Sequence, residues 1–217
     1  MECIYCKSEC IKYGKQKSGE QRYQCKLCKR TQQEKYRYNA YKPLVNEFIR
    51  DHVKEGSGIR SIGRLLKISP ITVMRRILSL SISIQRPMLS LYKNYEVDEL
   101  CTYIGKKTRK RWVAYALRKD TKEVADFVVG TRTLLTLKKI TDPLILSEAS
   151  EIYTDGLNIY KNLLYKKNHI VKRYKINHIE RMNLTLRTHL KRLSRRTICY
   201  SKSLIMLNAC LKIYFWG

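Results

Sequence analysis

The sequence contains no apolar run long enough to cross a membrane and few residues that interrupt packing. A membrane-spanning helix needs about 18 or more consecutive apolar residues, and no such stretch occurs. Only 9 Gly and 4 Pro are found in 217 residues, whereas hydrophobic residues make up 44%. This composition is typical of a folded protein with a core. The first residues also lack the basic and apolar regions of a secretory signal, so we expect a cytoplasmic protein without a membrane partner.

Acidic residues are scarce in this chain. Lys and Arg total 45 against 18 Asp and Glu, which gives a formal net charge of +27. Such an excess destabilises a compact state by self-repulsion unless a polyanion screens it. A ribosomal or generally cationic protein would share this composition, and nucleic acid is the predicted partner in either case. After Asp155 the chain has a single carboxylate, Glu180, within the basic stretch "INHIERMNLTLRTHLKRLSRR".

Residues 1–35 contain two closely spaced pairs of cysteines, "CIYC" and "CKLC". Four thiolates from two such turns can hold Zn²⁺ in a closed tetrahedron, and a segment this short would take much of its folding energy from the metal. The predicted zinc ligands are Cys3, Cys6, Cys25 and Cys28. Redox chemistry would need only one pair, and Cys10 is interpreted as a bystander. The pattern predicts a structural zinc ribbon.

Residues 43–82 have the pattern of a helix-turn-helix DNA-binding domain. In "GIRSIGRLLKISPITVMRRIL", Ser69 is the expected N-cap of the second helix and Pro70 its first residue. The side chains expected to point outward into a major groove are Thr72, Arg75 and Arg76. An ordinary helical hairpin packed on the next domain would give a similar pattern. Residues 83–94, interrupted by Pro87, are the predicted linker.

Residues 95–217 alternate between strand-like and helix-like patterns. "YEVDELCTYIG" and "RWVAYALRKDTKEVADFVVG" predict three strands, and "TRTLLTLKKI" predicts a helix. "EIYTDG" predicts a short strand running into a glycine turn, and "HIVKRY" a further strand before a helix over about 177–196. The fold class predicted is α/β, with an RNase H-like catalytic domain after the zinc ribbon and the helix-turn-helix.

Three carboxylates of this domain could converge on a catalytic metal site. Asp98 lies in the first strand, Asp155 ends a later strand, and Glu180 lies beside the apolar stripe of the last predicted helix. Carboxylates held together repel one another unless divalent cations bind between them, so we predict two Mg²⁺ or Mn²⁺ ions acting on a phosphodiester.

Each of these carboxylates also has a structural interpretation. Glu180 with Asn177 fits a capping-box pattern at a helix N-terminus. Asp155 precedes Gly156 and could be a turn aspartate. Asp98 has other carboxylates close by in the strand, although Glu99 should point to the opposite face. It is the combination of the three that favours a catalytic site.

Two further residues of the last predicted helix are candidates for DNA contact. Arg187 follows Glu180 by seven residues, nearly two helical turns, so both side chains share one face. Asn183 lies between them on that side. We predict that both contact DNA beside the metal site; the alternative for Arg187 is a simple surface arginine.

The chain resembles bacterial transposases of the insertion-sequence-one type. The closest stretches are "EVDELCTYIGKKTRKRWVAYA", "YTDGLNIY", "KRYKINHIERMNLTLRTHLKRLSRR" and "SKSLIMLNACLKIYF". The resemblance implies that Asp98, Asp155 and Glu180 form a DDE triad and that Arg187 is the basic residue that follows the triad Glu. It also implies that the zinc ribbon and helix-turn-helix bind terminal inverted repeats, with binding and catalytic parts in one frame.

The resemblance implies the reaction and the partners. A bacterial, nucleoid-associated enzyme would cleave a strand at each element end and join the freed 3′-hydroxyl to target DNA, as a homo-oligomer that holds two ends. The first alternative is a DNA-binding regulator made of the zinc ribbon and helix-turn-helix, without catalysis. The second is an RNase H-fold nuclease that cleaves but cannot join.

Overall fold

The computed structural model describes residues 1–34, 36–171 and 176–217. Its strands are β1 (Cys10–Lys15), β2 (Gln21–Cys25), β3 (Thr31–Gln33), β4 (Asn94–Ile104), β5 (Lys106–Arg118), β6 (Val124–Gly130), β7 (Glu151–Thr154) and β8 (His169–Val171). Its α-helices are α1 (Val45–Lys54), α2 (Ile59–Leu66), α3 (Pro70–Ser83), α4 (Leu134–Leu146), α5 (Asn158–Leu163), α6 (Asn177–His189) and α7 (Leu204–Trp216). Within these ranges no helix is long and apolar enough to cross a membrane.

The N-terminal strands form a small antiparallel sheet in the order β1-β2-β3. Gly19, in the turn between the first two strands, has a φ of 85°, which other residues adopt only with strain. The buried centre of this unit consists of cysteines, with Cys3, Cys10 and Cys25 the buried members. A core this small cannot offset the entropy of folding by apolar burial alone, which agrees with the predicted dependence on a metal.

Helices α1, α2 and α3 pack around a separate apolar core that includes Ile49, Ile62 and Ile77. The predicted start of α3 is confirmed. The hydroxyl of Ser69 accepts a hydrogen bond from the backbone N–H of Thr72 at 3.1 Å, and the ring of Pro70 occupies the first turn.

The large sheet has the strand order β6-β5-β4-β7-β8. β4, β5 and β6 are antiparallel neighbours, whereas β7 is parallel to β4 and β8 is parallel to β7. Side chains of one face pack against α6 and α7, and those of the other face pack against α4 and α5. Both faces are covered, which agrees with the near-continuous apolar runs of the central strands. The mixed α/β architecture expected for this region is confirmed.

Two elements differ from the sequence expectation. The last predicted helix was expected to run to about residue 196, but α6 ends at His189 because Leu190 is extended, with φ −95° and ψ 91°. A short 3₁₀ turn follows at Lys191–Leu193. The strand predicted from "HIVKRY" is confirmed as β8 over His169–Val171, and residues 172–174 of that prediction lie outside the described residues.

The C-terminal helix α7 contributes to two cores at once. Leu207 and Leu211 belong to the core between the large sheet and α6, whereas Cys210 and Ile213 belong to the core of α1–α3. The division into separate units at 43–82 and 95–217 stays a prediction, and α7 packs against both. The predicted linker, residues 83–94, is also held to the sheet, since Arg86 pairs with Asp126 at 2.9 Å.

We expect Ile213→Ala to lower the free energy of unfolding by about 2–5 kcal/mol, because it leaves a cavity where α7 meets the helical unit. The control is Ile205→Ala in the same helix, where the side chain is 69% exposed. That change should cost less than about 0.5 kcal/mol. Urea denaturation of both variants measures the difference. Equal losses would contradict a core shared through α7.

Candidate active site and metal centres

Parallel pairing of β4 with β7 brings two of the predicted catalytic residues together. Glu96 of β4 pairs with Tyr153 of β7. Continuing this parallel register by two residues in each strand places Asp98 level with Asp155, which lies just past the end of β7. Carboxylate oxygens of Asp98, Glu99 and Asp155 all lie within 4.8 Å of one another. We call this group the carboxylate cluster. It lies at the carboxyl ends of β7 and β8, the edge where open α/β sheets commonly bind ligands.

Asp98 is held by two hydrogen bonds. Its Oδ2 accepts from Nδ2 of Asn183 at 2.6 Å, and its Oδ1 accepts from the backbone N–H of Glu99 at 2.7 Å. Burial raises the pKa of Asp98 to about 6, and the neighbouring charges of Glu99 and Asp155 act in the same direction. The site therefore concentrates negative charge that a bound cation would stabilise.

Asp155 is the exposed member of the cluster. Its Oδ1 accepts a hydrogen bond from the backbone N–H of Leu157 at 3.0 Å, and its Oδ2 lies 3.9 Å from a guanidinium nitrogen of Arg132. Gly156 has a φ of 87°, and a Cβ there would come within 2.9 Å of Val171. The turn-aspartate interpretation is correct, and the turn presents the carboxylate to the cluster.

Glu99 points to the opposite face of β4 from Asp98, as expected, but its carboxylate still belongs to the cluster. Its Oε2 accepts from Nε and Nη2 of Arg132 at 3.1 and 2.8 Å, and its Oε1 accepts from the hydroxyl of Tyr160. The Arg132 guanidinium in turn lies 4.5 Å from the ring centre of Trp112. Burial raises the pKa of Glu99 despite these partners. In the sequence, only the position of Glu99 next to Asp98 indicated that Glu99 could belong to the site. No local pattern indicated Arg132 as its partner.

Glu180 lies outside the carboxylate cluster. It is exposed in the first turn of α6, although the sequence suggested that it would face the sheet edge instead of open water. It precedes Asn183, which binds Asp98, by one helical turn, and side chains at this spacing have Cβ atoms about 5–6 Å apart. The structure thus brings Asp98 and Asp155 together and leaves Glu180 nearby. Its catalytic role stays a prediction.

The capping box suggested for Asn177 and Glu180 is not formed at the start of α6. Asn177 is the first residue of α6 itself, and no side chain caps the helix from the preceding position. The buried carboxylate of Glu96 does this instead: its Oε2 accepts from the backbone N–H of Ile179 at 2.8 Å, and its Oε1 lies 2.9 Å from Nδ1 of His178. A carboxylate at a helix N-terminus is stabilised by the unpaired N–H groups there. Glu96 therefore anchors α6 to the central strand.

Asn183 and Arg187 lie beside Asp98, where the sequence predicted DNA contacts. Asn183 is only 8% exposed, because its Nδ2 donates to Asp98 while its Oδ1 accepts from the hydroxyl of Tyr115 at 2.9 Å. As placed, it orients Asp98 and does not lie on an open surface. Arg187 is half-buried; burial lowers its pKa, while the charge of Asp98 acts in the opposite direction. Its buried Nε has no hydrogen-bond partner in the described part of the chain.

The four predicted zinc ligands form one group. The Sγ atoms of Cys3, Cys6, Cys25 and Cys28 all lie within 4.8 Å of one another. The Cys3–Cys28 and Cys6–Cys25 separations are 3.6 and 3.4 Å. A tetrahedral Zn²⁺ with bonds of about 2.3 Å separates its sulfurs by about 3.8 Å, so this set fits a tetrahedral metal. Cys10 is buried next to the group but is not part of it.

Of the three side chains predicted to face the major groove, Arg75 is the most open. It is exposed and has no ion-pair or hydrogen-bond partner among the described residues. Thr72 bonds to the hydroxyls of Tyr38 and Ser69 at 3.0 and 2.9 Å. Arg76 donates to the carbonyl of Ala40 at 3.0 Å. Thr72 and Arg76 are therefore engaged by neighbouring parts of the same unit, which the sequence did not indicate.

Comparison with known proteins identifies the class as transposase. A sequence profile described as IS1 transposase matches residues 93–215. The chain belongs to the IS1 transposase family.

Individual relatives match half of the chain. Insertion element IS1 protein InsB of Shigella flexneri is 40% identical over 108 residues, covering 50% of this chain and 82% of the relative. Insertion element IS1 4 protein InsB of Escherichia coli K12 is 39% identical over 108 residues, covering 65% of its own length. A chain in the solved simian T-cell lymphotropic virus intasome with PP2A regulatory subunit B56 gamma has a TM-score of 0.38 at 12% identity, covering 78% of this chain and 65% of that chain. A likeness this distant bears on neither fold nor function.

We expect Glu96→Gln to lower the free energy of unfolding by about 1–3 kcal/mol, because it removes a charge-assisted acceptor that is buried against the start of α6. The matched control is Glu180→Gln in the first turn of α6, the helix end that Glu96 caps, which should cost no more than about 0.5 kcal/mol since the Glu180 carboxylate is exposed. Urea titrations followed by circular dichroism compare the two. A Glu96→Gln protein as stable as the control would show that the cap contributes nothing.

Proposed function

We propose that this protein is a DNA transposase that binds the terminal inverted repeats of an insertion sequence, cleaves a strand at each end and transfers the 3′-hydroxyl to target DNA. One observation carries the proposal: β4–β7 pairing brings Asp98 and Asp155 level at one edge of the sheet, in a chain of the IS1 transposase family. The strand order and the alternation of strands and helices support an RNase H-like assignment for this domain.

The residues of the site fit divalent metal ions. Hard cations such as Mg²⁺ and Mn²⁺ prefer carboxylate oxygens, and Asp98 and Asp155 offer theirs within one small space. We assign Glu180 as the third ligand, reaching the site from the adjacent turn of α6. Bound ions would lower the pKa of an attacking water or 3′-hydroxyl and stabilise the leaving oxygen. Both oxygens of Glu99 already accept hydrogen bonds, so we assign Glu99 a positioning role.

Other side chains would orient the reacting groups. Asn183 fixes the direction of the Asp98 carboxylate, and Tyr115 fixes Asn183 in turn. Arg132 connects Glu99 with Asp155 and would limit the movement of the exposed carboxylate. Arg187 is only half-buried and its charge lies near Asp98, which suits its guanidinium to hold a DNA phosphate at the site.

The N-terminal units would select the DNA. We propose that Zn²⁺ on the four cysteines maintains the ribbon fold and that α3 lies in the major groove of an inverted repeat. Arg75 is the foremost candidate for base or phosphate contact, with Thr72 and Arg76 as further candidates. Joining two ends requires two active sites, so a homo-oligomer is the expected active form. Nucleoid association would follow from the net charge of +27.

A cleavage and strand-transfer assay on DNA carrying the element's own ends, with Mg²⁺, tests this proposal. We expect Asp155→Asn and Glu180→Gln each to lower the cleavage rate by more than about 10²-fold. Mutation of a residue that only hydrogen-bonds to a metal ligand already lowers metal affinity or activity by about 10–100-fold, and loss of a ligand itself should cost more. Binding of the ends should be unchanged. Glu148→Gln, an exposed carboxylate before β7 at the opposite edge of the sheet, is the matched control and should retain activity.

The alternatives give different results in the same assay. A wild-type protein that binds ends but cuts nothing with either Mg²⁺ or Mn²⁺ would favour the non-catalytic regulator. Cleavage without joining would favour a nuclease. Full activity in Glu180→Gln, with loss in Asp155→Asn, would remove Glu180 from the site and leave Asp98 and Asp155 as the metal ligands.

The zinc assignment is tested by metal analysis of the purified protein. We expect Cys25→Ser to lose the bound zinc and to weaken binding of the inverted repeat, because the ribbon has little apolar core of its own. Cys10→Ser is the matched control, since Cys10 is buried in the same ribbon but lies outside the group of four. It should keep its zinc. Zinc retained by Cys25→Ser, or lost equally from both variants, would contradict the assignment.

A further inference from the structure

The hairpin formed by β4 and β5 extends beyond the rest of the large sheet. β5 pairs with β6 only from Trp112 onward, whereas its pairing with β4 continues to Lys106. Residues 102–111 therefore form a two-stranded ribbon beyond the end of β6. The ribbon continues from the carboxyl end of the central strand, in the direction in which Asp155 follows the parallel strand β7. It thus leaves the sheet on the side of the carboxylate cluster.

The tip of this ribbon is strongly positive. Its basic residues are Lys106, Lys107, Arg109, Lys110 and Arg111. The sequence has no carboxylate between Glu99 and Asp120, and none of these cations forms an ion pair in the described part of the chain. The first four are exposed and Arg111 is half-buried. Nothing in the described fold uses this charge.

A second basic segment, residues 191–202, lies against the ribbon. The backbone N–H of Gly105 donates to the carbonyl of Ser201 at 2.9 Å, and the hydroxyl of Thr102 donates to the carbonyl of Arg192 at 3.1 Å. This segment adds the cations Lys191, Arg192, Arg195, Arg196 and Lys202. It contains no acidic residue, so the two segments form one surface of a single sign. We call them together the basic ribbon surface.

This surface is continuous with the candidate active site. Helix α6, whose residue Asn183 binds Asp98, ends at His189 and leads through Leu190 directly into residues 191–202. Along β4, six residues separate Asp98 from Ile104, which is about 20 Å at a rise of about 3.3 Å per residue. That length matches about six base pairs of duplex DNA at about 3.4 Å per pair.

We infer that the basic ribbon surface binds the phosphate backbone of the double-stranded DNA that flanks the phosphodiester at the carboxylate cluster. This inference rests on the proposed function, because it assumes that DNA is bound at that cluster. The surface carries many cations and no carboxylate, and contacts between such cations and phosphates position a duplex independently of its sequence.

DNA binding by a triple variant tests the inference. Lys106, Lys107 and Lys110 are replaced by Gln in the full chain. The control variant replaces Lys122, Lys166 and Lys167 by Gln, which removes the same charge from exposed positions at the opposite edge of the sheet. Binding is measured against salt concentration on two duplexes of equal length, one carrying the element's end and one of unrelated sequence. Circular dichroism confirms that both variants fold.

We expect the ribbon variant to bind both duplexes about tenfold or more weakly at low salt, and the slope of log K against log salt to fall by about 2.7, or 0.9 per phosphate contact. The control variant should change much less. Equal effects of the two variants, or a loss confined to the end duplex, would overturn the inference while leaving the proposed function intact. A wild-type protein that binds neither duplex would overturn both.

The position of the contact is tested by photo-cross-linking. A benzophenone amino acid replaces Thr108 at the ribbon tip, or Thr121 in the exposed β5–β6 turn as the matched control. We expect cross-links from position 108 to the end duplex within about six base pairs of the cleaved bond, the distance given by strand and duplex rise. No cross-link from position 108, or equal cross-linking from position 121, would contradict a ribbon that lies along the bound DNA.

Discussion

Parallel pairing of β4 with β7 is the constraint on which the rest of the candidate site depends. It fixes the register of two strands far apart in the chain and brings Asp98 level with Asp155. A shift of one residue would turn the carboxylate of Asp98 to the opposite side of the sheet relative to Asp155, because strand side chains alternate. The register is itself secured by apolar side chains of both strands, such as Val97 and Ile152, packed against α4 and α5.

The carboxylates are arranged by neighbours that are themselves buried. Asn183 and Tyr115 orient Asp98 from one face of the sheet, while Arg132 and Tyr160 hold Glu99 from the other. Unpaired carboxylates in such surroundings would be costly, so each hydrogen bond both satisfies a buried group and fixes its direction. The same principle applies to Glu96. Its buried carboxylate accepts a hydrogen bond from the first turn of α6, and this contact fixes α6, which also carries Arg187, against the central strand β4.

Packing connects the large sheet with the three N-terminal helices. Helix α7 places apolar side chains in the core of the large sheet and in that of the three N-terminal helices, so the two regions share buried surface. Positive charge is concentrated on the ribbon beyond β6, on residues 191–202 and on Arg75 of α3, and carboxylates are nearly absent from these segments. Like charges in these segments repel one another, so binding of a polyanion would stabilise the folded protein.

The sequence alone determined those features that depend on local chemistry. The spacing of Cys3, Cys6, Cys25 and Cys28 predicted one metal group, Ser69 and Pro70 predicted the start of α3, and alternation predicted the strands. Sequence motifs indicated the family, and the family resemblance indicated Asp98 and Asp155 as candidate metal ligands.

Only the tertiary structure decided the contacts between distant residues. Asn183 binds Asp98 across 85 positions and Arg132 binds Glu99 across 33, and no local pattern encodes either pair. The early end of α6, the double role of α7 and the cap from Glu96 have the same origin. Each is set by which surfaces meet in space, because burial and hydrogen bonding act between neighbours in the fold and not between neighbours in the chain.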